Sequence, residues 1–282
     1  MRPPLLISPG ALQILETAPL GPAEFCRRAV DEHHRILASQ RERVFKDAPE
    51  TAVTLVELPG MPQVCVKEFR WRGTLHACKA LARPTQGLRT FFNGRRLVDM
   101  GVGAALPLAL VTRTRQGLIR REWVVMETVP AAVELDRYLV RRLREGMDYR
   151  QKRELIRQFA RFISGLHDKG IFHADLKTCN IVVSEADADG TVRFFLLDYD
   201  DVKFSGSVSL RGRTRNLVQL FLSTPSAFTA TDRLRFLSEY CFHGDMSHAE
   251  RIPLAREIIK CASGRTILYV GPDGDIEEPW ER

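Results

Sequence analysis

One short stretch constrains this chain more than any other: His173-Ala174-Asp175-Leu176-Lys177-Thr178-Cys179-Asn180. It follows residues 150–169, whose apolar side chains recur at helical spacing, and it runs directly into the apolar segment Ile181-Val182-Val183. A second apolar run, residues 194–197, ends in Asp198 and predicts the second strand of a hairpin. The pattern therefore places a polar loop and an aspartate at one end of a small hairpin.

Asp175, Asn180 and Asp198 carry the groups that phosphoryl transfer requires of a protein. That reaction needs positioned metal ions, a cation at the phosphates and a carboxylate that orients the acceptor hydroxyl. We expect Asp175 to accept the acceptor's proton and Lys177 to lie near the transferred group. Asn180 and Asp198 are the expected ligands of Mg²⁺ or Mn²⁺. The alternative interpretation is structural, with Asp175 as a cap or loop carboxylate and Asn180 as a turn residue.

The organisation of the chain changes near residue 127. Before it, helices are expected at 22–41 and 85–100 and strands at 53–58, 63–69, 106–112 and 123–127. After it, helices are expected at 135–144 and 150–169, with Gly170 as a C-cap, and again beyond a hairpin of 180–184 and 192–197 whose turn is 187–190. We therefore predict an α+β, two-lobed fold. Residues 1–127 form a strand-rich N-lobe with an N-terminal helical extension, and residues 128–282 form a helical C-lobe that contains the polar loop.

The composition limits the classes of binding partner that are expected. Arginine supplies most of the formal charge of +7, and we interpret Arg211, Arg213 and Arg215 either as internal ion-pair partners or as contacts to an anionic acceptor. Aromatic residues do not interleave with the basic runs, so no nucleic-acid partner is expected. The six cysteines have no metal-ligand spacing. We see no signal peptide and no apolar stretch long enough to span a bilayer. We expect reduced thiols and a cytoplasmic protein.

The loop resembles the catalytic loop of protein kinases, with His-Ala-Asp where kinases usually have His-Arg-Asp. Asp198-Tyr199-Asp200 stands where the Asp-Phe-Gly motif would lie, and Val64-Cys65-Val66-Lys67 matches the strand with the phosphate-binding lysine. Glu127 ends the strand that would lead into the hinge. The resemblance implies a protein-kinase-like fold that binds ATP through Lys67, Glu127, Asn180 and Asp198.

More narrowly, residues 43–225 resemble the bacterial lipopolysaccharide kinase family, which phosphorylates heptose or Kdo sugars of the inner core. The features that carry this resemblance are Val66-Lys67-Glu68-Phe69-Arg70, the His-Ala-Asp loop, and Arg213-Thr214-Arg215-Asn216-Leu217 followed by Leu220 and Ser223. The resemblance implies ATP and a divalent metal as cofactors and an anionic glycolipid as acceptor. It also implies peripheral contact with the cytoplasmic face of the inner membrane. It does not predict an oligomeric state.

The sequence departs from the kinase pattern in its first lobe. The turn at residues 46–52 contains no glycine, so we expect Thr51 or backbone amides to cover the nucleotide. No acidic residue lies between Glu68 and Asp99 to pair with Lys67, and Thr90 or Asn93 is expected in that place. Lys67 has an alternative interpretation as a solvated edge-strand lysine. Two alternative functions stay open: an atypical protein Ser/Thr kinase and a pseudokinase scaffold.

Overall fold

The structure is a computed structural model that describes residues 5–7, 20–70, 83–116, 118–185, 191–225, 227–244, 246–263, 269–270 and 276–277. The chain divides into an N-terminal unit, Met1–Val129, and a C-terminal unit, Pro130–Arg282. The predicted boundary lies between residues 127 and 128. The predicted turn at 187–190 lies outside the described residues.

An antiparallel sheet forms the centre of the N-terminal unit. Its elements in chain order are β1 (Leu5–Ile7), α1 (Pro22–Ser39), β2 (Val44–Asp47), β3 (Thr51–Val56), β4 (Val64–Arg70), α2 (Gln86–Asp99), β5 (Pro107–Arg115) and β6 (Leu118–Glu127). Within the described residues the strands lie in the order β1-β5-β6-β4-β3-β2. Strand β4 therefore lies in the interior of the sheet, hydrogen-bonded to β3 on one side and to β6 on the other.

Strand β4 has two buried faces because successive side chains of a strand point to opposite sides of the sheet. Val64 and Val66 pack into a core with the apolar face of α1. Phe69 packs into a second core with Phe91 of α2, and Cys65 packs against it. The residue spacing of β4 therefore directs Lys67 to the face that carries α2, and its ammonium group lies 5.0 Å from the centre of the Phe69 ring.

The N-terminus of α2 is attached to the sheet by a buried carboxylate. Thr85 is the N-cap residue, and its hydroxyl accepts a hydrogen bond from the Leu88 N–H and donates one to Glu122 Oε1 at 2.6 Å. The Gly87 N–H donates to Glu122 Oε2 at 3.2 Å. A carboxylate beside the first turn of a helix also interacts favourably with the helix dipole. Glu122 therefore fixes where α2 begins on the sheet.

The C-terminal unit is mainly helical. Its elements are β7 (Val133–Glu134), α3 (Leu135–Arg144), α4 (Tyr149–Asp168), β8 (Ile171–His173), β9 (Ile181–Glu185), β10 (Val192–Leu196), β11 (Val202–Phe204), α5 (Leu210–Ser223), α6 (Ala230–His243), α7 (His248–Ala262), β12 (Tyr269–Val270) and β13 (Ile276–Glu277). Strands β9 and β10 form the predicted hairpin, and β8 pairs with β11. Phe159 of α4 contacts Phe194 of β10 and Phe236 of α6, with ring centres 5.3 and 5.4 Å apart.

Helix α4 ends where the sequence predicted. Gly170 has φ +72°, and its N–H donates to the His167 carbonyl at 3.0 Å. A Cβ atom at this position would lie 1.8 Å from the Ser205 carbonyl oxygen. Only glycine fits both constraints, so Gly170 sets the direction in which the chain enters β8.

The predicted elements are confirmed with small shifts at their ends. The helix predicted at 22–41 ends at Ser39, and that predicted at 85–100 runs from Gln86 to Asp99. The strands predicted at 106–112 and 123–127 are longer, at 107–115 and 118–127, because their ends pair with each other as an extended ribbon. Among the described residues, no helix is both long and apolar enough to cross a membrane.

A buried ion cluster attaches α1 to the sheet. Glu68 is fully buried, and its carboxylate accepts from Arg70 Nε at 2.6 Å and from Arg121 Nη1 at 2.8 Å. His33 of α1 lies with Nε2 3.5 Å from Glu68 Oε2 and with Nδ1 2.7 Å from Thr54 Oγ1. Burial alone would raise the pKa of Glu68, but the hydrogen bonds from His33 and Arg70 and the charges of both arginines lower it to about 2.

We predict that this cluster makes the stability of the N-terminal unit pH-dependent in acid. Because the pKa of Glu68 falls from its ordinary value of 4.5 to about 2 on folding, the stabilisation is complete above pH 4.5 and is lost as the pH falls towards 2. Urea unfolding should show Glu68→Gln destabilised at pH 7 by on the order of 3 kcal/mol, and less so at pH 3. Glu57→Gln, at a more exposed carboxylate that pairs with Arg43, is the control. A destabilisation by Glu68→Gln that is the same at both pH values would contradict the assignment.

Candidate active site

The polar loop predicted as catalytic is a compact structure between β8 and β9. The Lys177 N–H donates to the Asp175 carbonyl at 3.1 Å, and the Asn180 N–H donates to the Lys177 carbonyl at 3.0 Å. The loop ends in the 3₁₀ turn Thr178–Asn180, from which β9 continues. These short-range bonds bring the side chains of Asp175, Lys177 and Asn180 together, as the spacing of the motif predicted.

Asp175 is the centre of this group. Its side chain is half-exposed, and Lys177 Nζ lies 3.0 Å from its Oδ1. Asn180 Nδ2 donates to the Asp175 carbonyl at 2.8 Å and to Oδ2 at 3.3 Å. Because the amide nitrogen of Asn180 faces Asp175, the amide oxygen points to the opposite side. The loop thus presents a carboxylate, an ammonium group and an amide oxygen together.

His173 holds this loop to the end of β10. The Asp175 N–H donates to His173 Nδ1 at 3.2 Å, so Nδ1 is the unprotonated nitrogen, and Nε2–H donates to the Leu197 carbonyl at 3.0 Å. Burial lowers the pKa of His173, which keeps the ring neutral and this tautomer in place. His173 therefore has a structural role, because both ring nitrogens bond to backbone.

Asp198 immediately follows Leu197, the residue whose carbonyl bonds to His173. The β9–β10 pairing ends with Leu196 opposite Ile181, and the Leu197 N–H donates to the Asn180 carbonyl at 2.8 Å. Asp198 then adopts the left-handed conformation, with φ 52° and ψ 44°, and its side chain is exposed. Aspartate tolerates this conformation better than most residues, and such strained positions cluster at functional sites. Asp198 thus directly follows Leu197, the residue whose N–H bonds to the Asn180 carbonyl.

Helix α5 supports the loop from behind with polar side chains. Asn216 Nδ2 donates to the His173 carbonyl at 2.6 Å, and Gln219 Nε2 donates to the Ala174 carbonyl at 2.8 Å. Ser223 Oγ accepts from the Thr178 N–H at 3.0 Å. No role for Asn216, Gln219 or Ser223 was predicted from the sequence. A pattern that could have identified them is visible in the sequence, since polar residues at positions 216, 219 and 223 recur at helical spacing among buried leucines.

The arginines of α5 differ in their surroundings. Arg213 is internal, with Nη2 3.0 Å from Asp168 Oδ1 and Nη1 3.0 Å from the Tyr240 hydroxyl. Arg211 and Arg215 are exposed, and Arg215 Nη2 donates to the Ala174 carbonyl at 3.1 Å. Arg213 is therefore an internal ion-pair partner, as one interpretation of this cluster proposed, whereas Arg211 and Arg215 form no ion pair with the described residues.

Lys67 and Glu127 lie in the N-terminal unit, on the neighbouring strands β4 and β6. Val64 is opposite Glu127 and Lys67 is opposite Val124 in the antiparallel pairing of these strands. Because β4 is an interior strand, the alternative interpretation of Lys67 as an edge-strand lysine is wrong. The Glu127 N–H donates to the Leu106 carbonyl at 2.9 Å, and burial raises the pKa of its carboxyl group. The roles of both residues with a nucleotide stay predictions.

The glycine-free turn before β3 is held rigidly. Ala48 and Thr51 exchange backbone hydrogen bonds, and Arg70 Nη1 donates to the Ala48 carbonyl and to Asp47 Oδ1. The Thr51 hydroxyl donates to the Glu68 carbonyl at 2.9 Å, so the sheet occupies the donor that we expected to cover a nucleotide. In α2, Thr90 is buried and its hydroxyl has no hydrogen-bond partner within the described part of the chain.

Two sets of side chains among the described residues offer metal ligands, and one of them suits a divalent cation. His33, His34 and Glu68 bring their ligand atoms within 4.8 Å of one another. Glu68 already pairs with Arg70 and Arg121, whose charges oppose a cation, so we assign no metal there. The Asn180 amide oxygen and the Asp198 carboxylate are the oxygen ligands that Mg²⁺ and Mn²⁺ prefer, and they fit a metal that accompanies ATP.

Comparisons with known proteins agree with this geometry. Residues 72–240 match the sequence profile of the lipopolysaccharide kinase (Kdo/WaaP) family. The chain is 24% identical over 165 residues to the lipopolysaccharide core heptose(I) kinase WaaP of Escherichia coli, an alignment that covers 57% of this chain and 62% of the relative. It is 26% identical over 192 residues to the enzyme of the same name from Pseudomonas aeruginosa, which covers 67% of this chain and 66% of the relative. The chain thus spans about two thirds of the length of these relatives.

Among solved structures, this chain is similar to WaaP in a complex with acyl carrier protein. The TM-score is 0.57 at 20% sequence identity, and the match covers 92% of this chain and 99% of the other. The fold is therefore the α+β, protein-kinase-like fold that the sequence predicted.

We predict that the network behind the loop weakens in mild acid. His167 is fully buried, with Nε2 3.2 Å from Asn216 Oδ1 and Nδ1 2.8 Å from the Tyr240 hydroxyl, and burial lowers its pKa from 6.5 to about 4. The unfolded chain therefore binds a proton that the folded chain does not between pH 6.5 and 4. The stability of the C-terminal unit should fall over this range by on the order of 3 kcal/mol.

Urea titrations of wild type and His167→Asn from pH 8 to pH 4 check this prediction. At pH 8 the comparison reports only the lost contacts, and towards pH 4 the variant should lose stability less steeply than wild type. His173 remains in both proteins and retains its own part of the slope. Parallel pH profiles for the two proteins would contradict the role of His167.

Proposed function

The chain belongs to the lipopolysaccharide kinase (Kdo/WaaP) family, and on this premise we propose that it transfers the γ-phosphoryl group of ATP to a hydroxyl of an inner-core sugar of lipopolysaccharide. The observation that carries the proposal is the arrangement of Asp175, Lys177 and Asn180 in one hydrogen-bonded loop beside Asp198. A carboxylate, an ammonium group and an amide oxygen in one loop, with a second carboxylate beside it, match the groups that phosphoryl transfer requires of a protein.

Asp175 is the residue to which we assign the acceptor. Its carboxylate accepts a hydrogen bond from the sugar hydroxyl and takes its proton as the new O–P bond forms and the bond from the γ-phosphorus to the bridging oxygen breaks. Lys177, 3.0 Å from Asp175, offers positive charge to the transferred group. ADP is the leaving group.

We assign the nucleotide and its metal to Lys67, Glu127, Asn180 and Asp198. The Asn180 amide oxygen and the Asp198 carboxylate would hold Mg²⁺ or Mn²⁺, which supplies positive charge to the phosphates when bound. Lys67 would contact the phosphates, and Glu127, at the end of β6, would contact the base. His173 bonds to the Asp175 N–H and to the Leu197 carbonyl, and so fixes the position of Asp175 relative to Asp198, which follows Leu197.

The family and the net charge support the proposed acceptor class and location. Inner-core sugars carry anionic groups, and a chain with a formal charge of +7 attracts such an acceptor. ATP is a cytoplasmic substrate, so we place the reaction at the cytoplasmic face of the inner membrane, with peripheral rather than transmembrane contact. The two curated relatives are named as heptose(I) kinases, and heptose is accordingly the first sugar to test.

We predict that Asp175→Ala abolishes transfer while it leaves ATP binding nearly intact, because Asp175 acts on the acceptor. Transfer of labelled γ-phosphate to a heptose-containing core glycolipid should fall by about 10²–10⁴-fold. ATP binding is measured separately by titration calorimetry, and Glu145→Gln, at an exposed carboxylate of α3's end, is the control for a lost acid. Wild-type turnover in Asp175→Ala would remove Asp175 from the mechanism.

The same assay separates the alternative functions when a generic protein acceptor is run in parallel. Transfer to the glycolipid alone supports the proposal. Transfer to protein alone would mean that the chain is a kinase whose acceptor is a protein, as expected of an atypical protein kinase. Absence of transfer to either acceptor with both Mg²⁺ and Mn²⁺ supports the pseudokinase, which the glycine-free turn and the occupied Thr51 hydroxyl favour.

We predict a different defect for Asp198→Asn. Because Asp198 is assigned to the metal, the substitution should weaken binding of the metal–nucleotide complex about tenfold or more and leave binding of metal-free ATP little changed. Titration with ATP in the presence and absence of Mg²⁺ measures both quantities. Equal metal dependence in wild type and variant would contradict the assignment of Asp198.

A further inference from the structure

A basic surface lies beside the catalytic loop and the proposed reaction does not use it. Arg215 projects from α5 and donates from Nη2 to the carbonyl of Ala174, the residue before Asp175. Its guanidinium carbon lies 5.7 Å from the centre of the Phe172 ring. One hydrogen bond and one aromatic contact therefore hold an exposed guanidinium next to the carboxylate assigned to the acceptor.

Two further cations lie on two elements, β11 and α5. Lys203 of β11 is directly opposite Phe172 in the β8–β11 pairing, so the two side chains share a face. Arg211 precedes Arg215 by one turn on the same side of α5. Lys203, Arg211 and Arg215 are exposed, and no acidic side chain of the described residues forms an ion pair with them. Arg213, between the two arginines in sequence, is by contrast paired with Asp168.

The geometry of Arg215 suits recognition of an anion rather than stabilisation of the fold. A guanidinium carries several N–H donors in a planar fork that matches carboxylate and phosphate oxygens. The bond to Ala174 uses one of them and fixes the orientation of the group, which lowers the entropy lost when a ligand binds. Asp175 repels an anionic acceptor at close range, and a fixed positive charge one residue away offsets that repulsion.

We propose that Arg215 binds an anionic substituent, a carboxylate or a phosphate, on the oligosaccharide that presents a sugar hydroxyl to Asp175. Lys203 and Arg211 add positive charge around it and attract the same group. This inference rests on the proposed function and adds to it the acceptor chemistry that the loop selects: an oligosaccharide whose anionic group and reacting hydroxyl reach Arg215 and Asp175 at once.

The test compares Arg215→Gln and Arg215→Lys with Arg256→Gln, which removes an exposed arginine from α7. With a core oligosaccharide as acceptor, Arg215→Gln should raise the KM for the acceptor about tenfold to hundredfold and leave kcat and the KM for ATP within about twofold. Arg215→Lys should recover part of the loss. A loss confined to kcat would show that Arg215 only supports the Ala174 carbonyl, and would overturn the proposal.

Modified acceptors identify the anion. The penalty of Arg215→Gln should disappear with an acceptor whose carboxylates have been reduced if Arg215 binds a carboxylate, or with a dephosphorylated acceptor if it binds a phosphate. A penalty that survives both treatments would overturn the proposal.

Direct binding separates this inference from the proposed function. Titration calorimetry of the oligosaccharide without ATP should give a Kd that Arg215→Gln raises by the same factor. Binding that depends on Arg215 without any phosphoryl transfer would support the anion site and refute the kinase assignment. If wild type transfers phosphate but Arg215→Gln binds the acceptor as tightly as wild type, the kinase assignment is supported and the anion site is refuted.

Discussion

A single neutral imidazole joins the two parts of the candidate site in the C-terminal unit. His173 accepts from the Asp175 backbone and donates to the Leu197 carbonyl, so one ring connects the loop with the end of β10. A protonated ring has no acceptor nitrogen and would lose the first of these bonds. The relative position of Asp175 and Asp198 therefore depends on the burial that keeps His173 unprotonated. The chemistry assigned to the loop depends in turn on that position.

The loop backbone is held mainly by side chains, and this explains the polar face of α5. A loop has few partners of its own for its N–H and C=O groups, and such groups are costly to bury without hydrogen bonds. Asn216, Gln219 and Ser223 provide those partners along one side of a helix. Because α5 is itself held to α4 and α6 through Arg213, a change in helix packing would reach the loop through these amides.

The sequence predicted the helices, the strands and the loop because each depends on local patterns. Residues 173–180 could be interpreted from spacing alone, and Gly170 and the β9–β10 hairpin from turn and strand rules. The support from Asn216 and Gln219, and the Glu68 cluster, could not be predicted in this way. They depend on which polar side chains face each other across elements up to 53 residues apart, as for Glu68 and Arg121. Periodicity marks a polar position on a buried face but does not identify its partner.

The attachment of α2 to Glu122 has a consequence for how activity could be regulated. In protein kinases, movement of the corresponding helix makes or breaks the lysine–glutamate pair and so switches activity. Here α2 carries no acidic residue before its last position, Asp99, and the helix begins on Glu122 through Thr85 and Gly87. Rotating α2 outwards would break both bonds to a buried carboxylate, a cost of several kcal/mol. Switching of this type would therefore be costly here. In the proposed reaction, the rate would then follow the supply of acceptor and nucleotide.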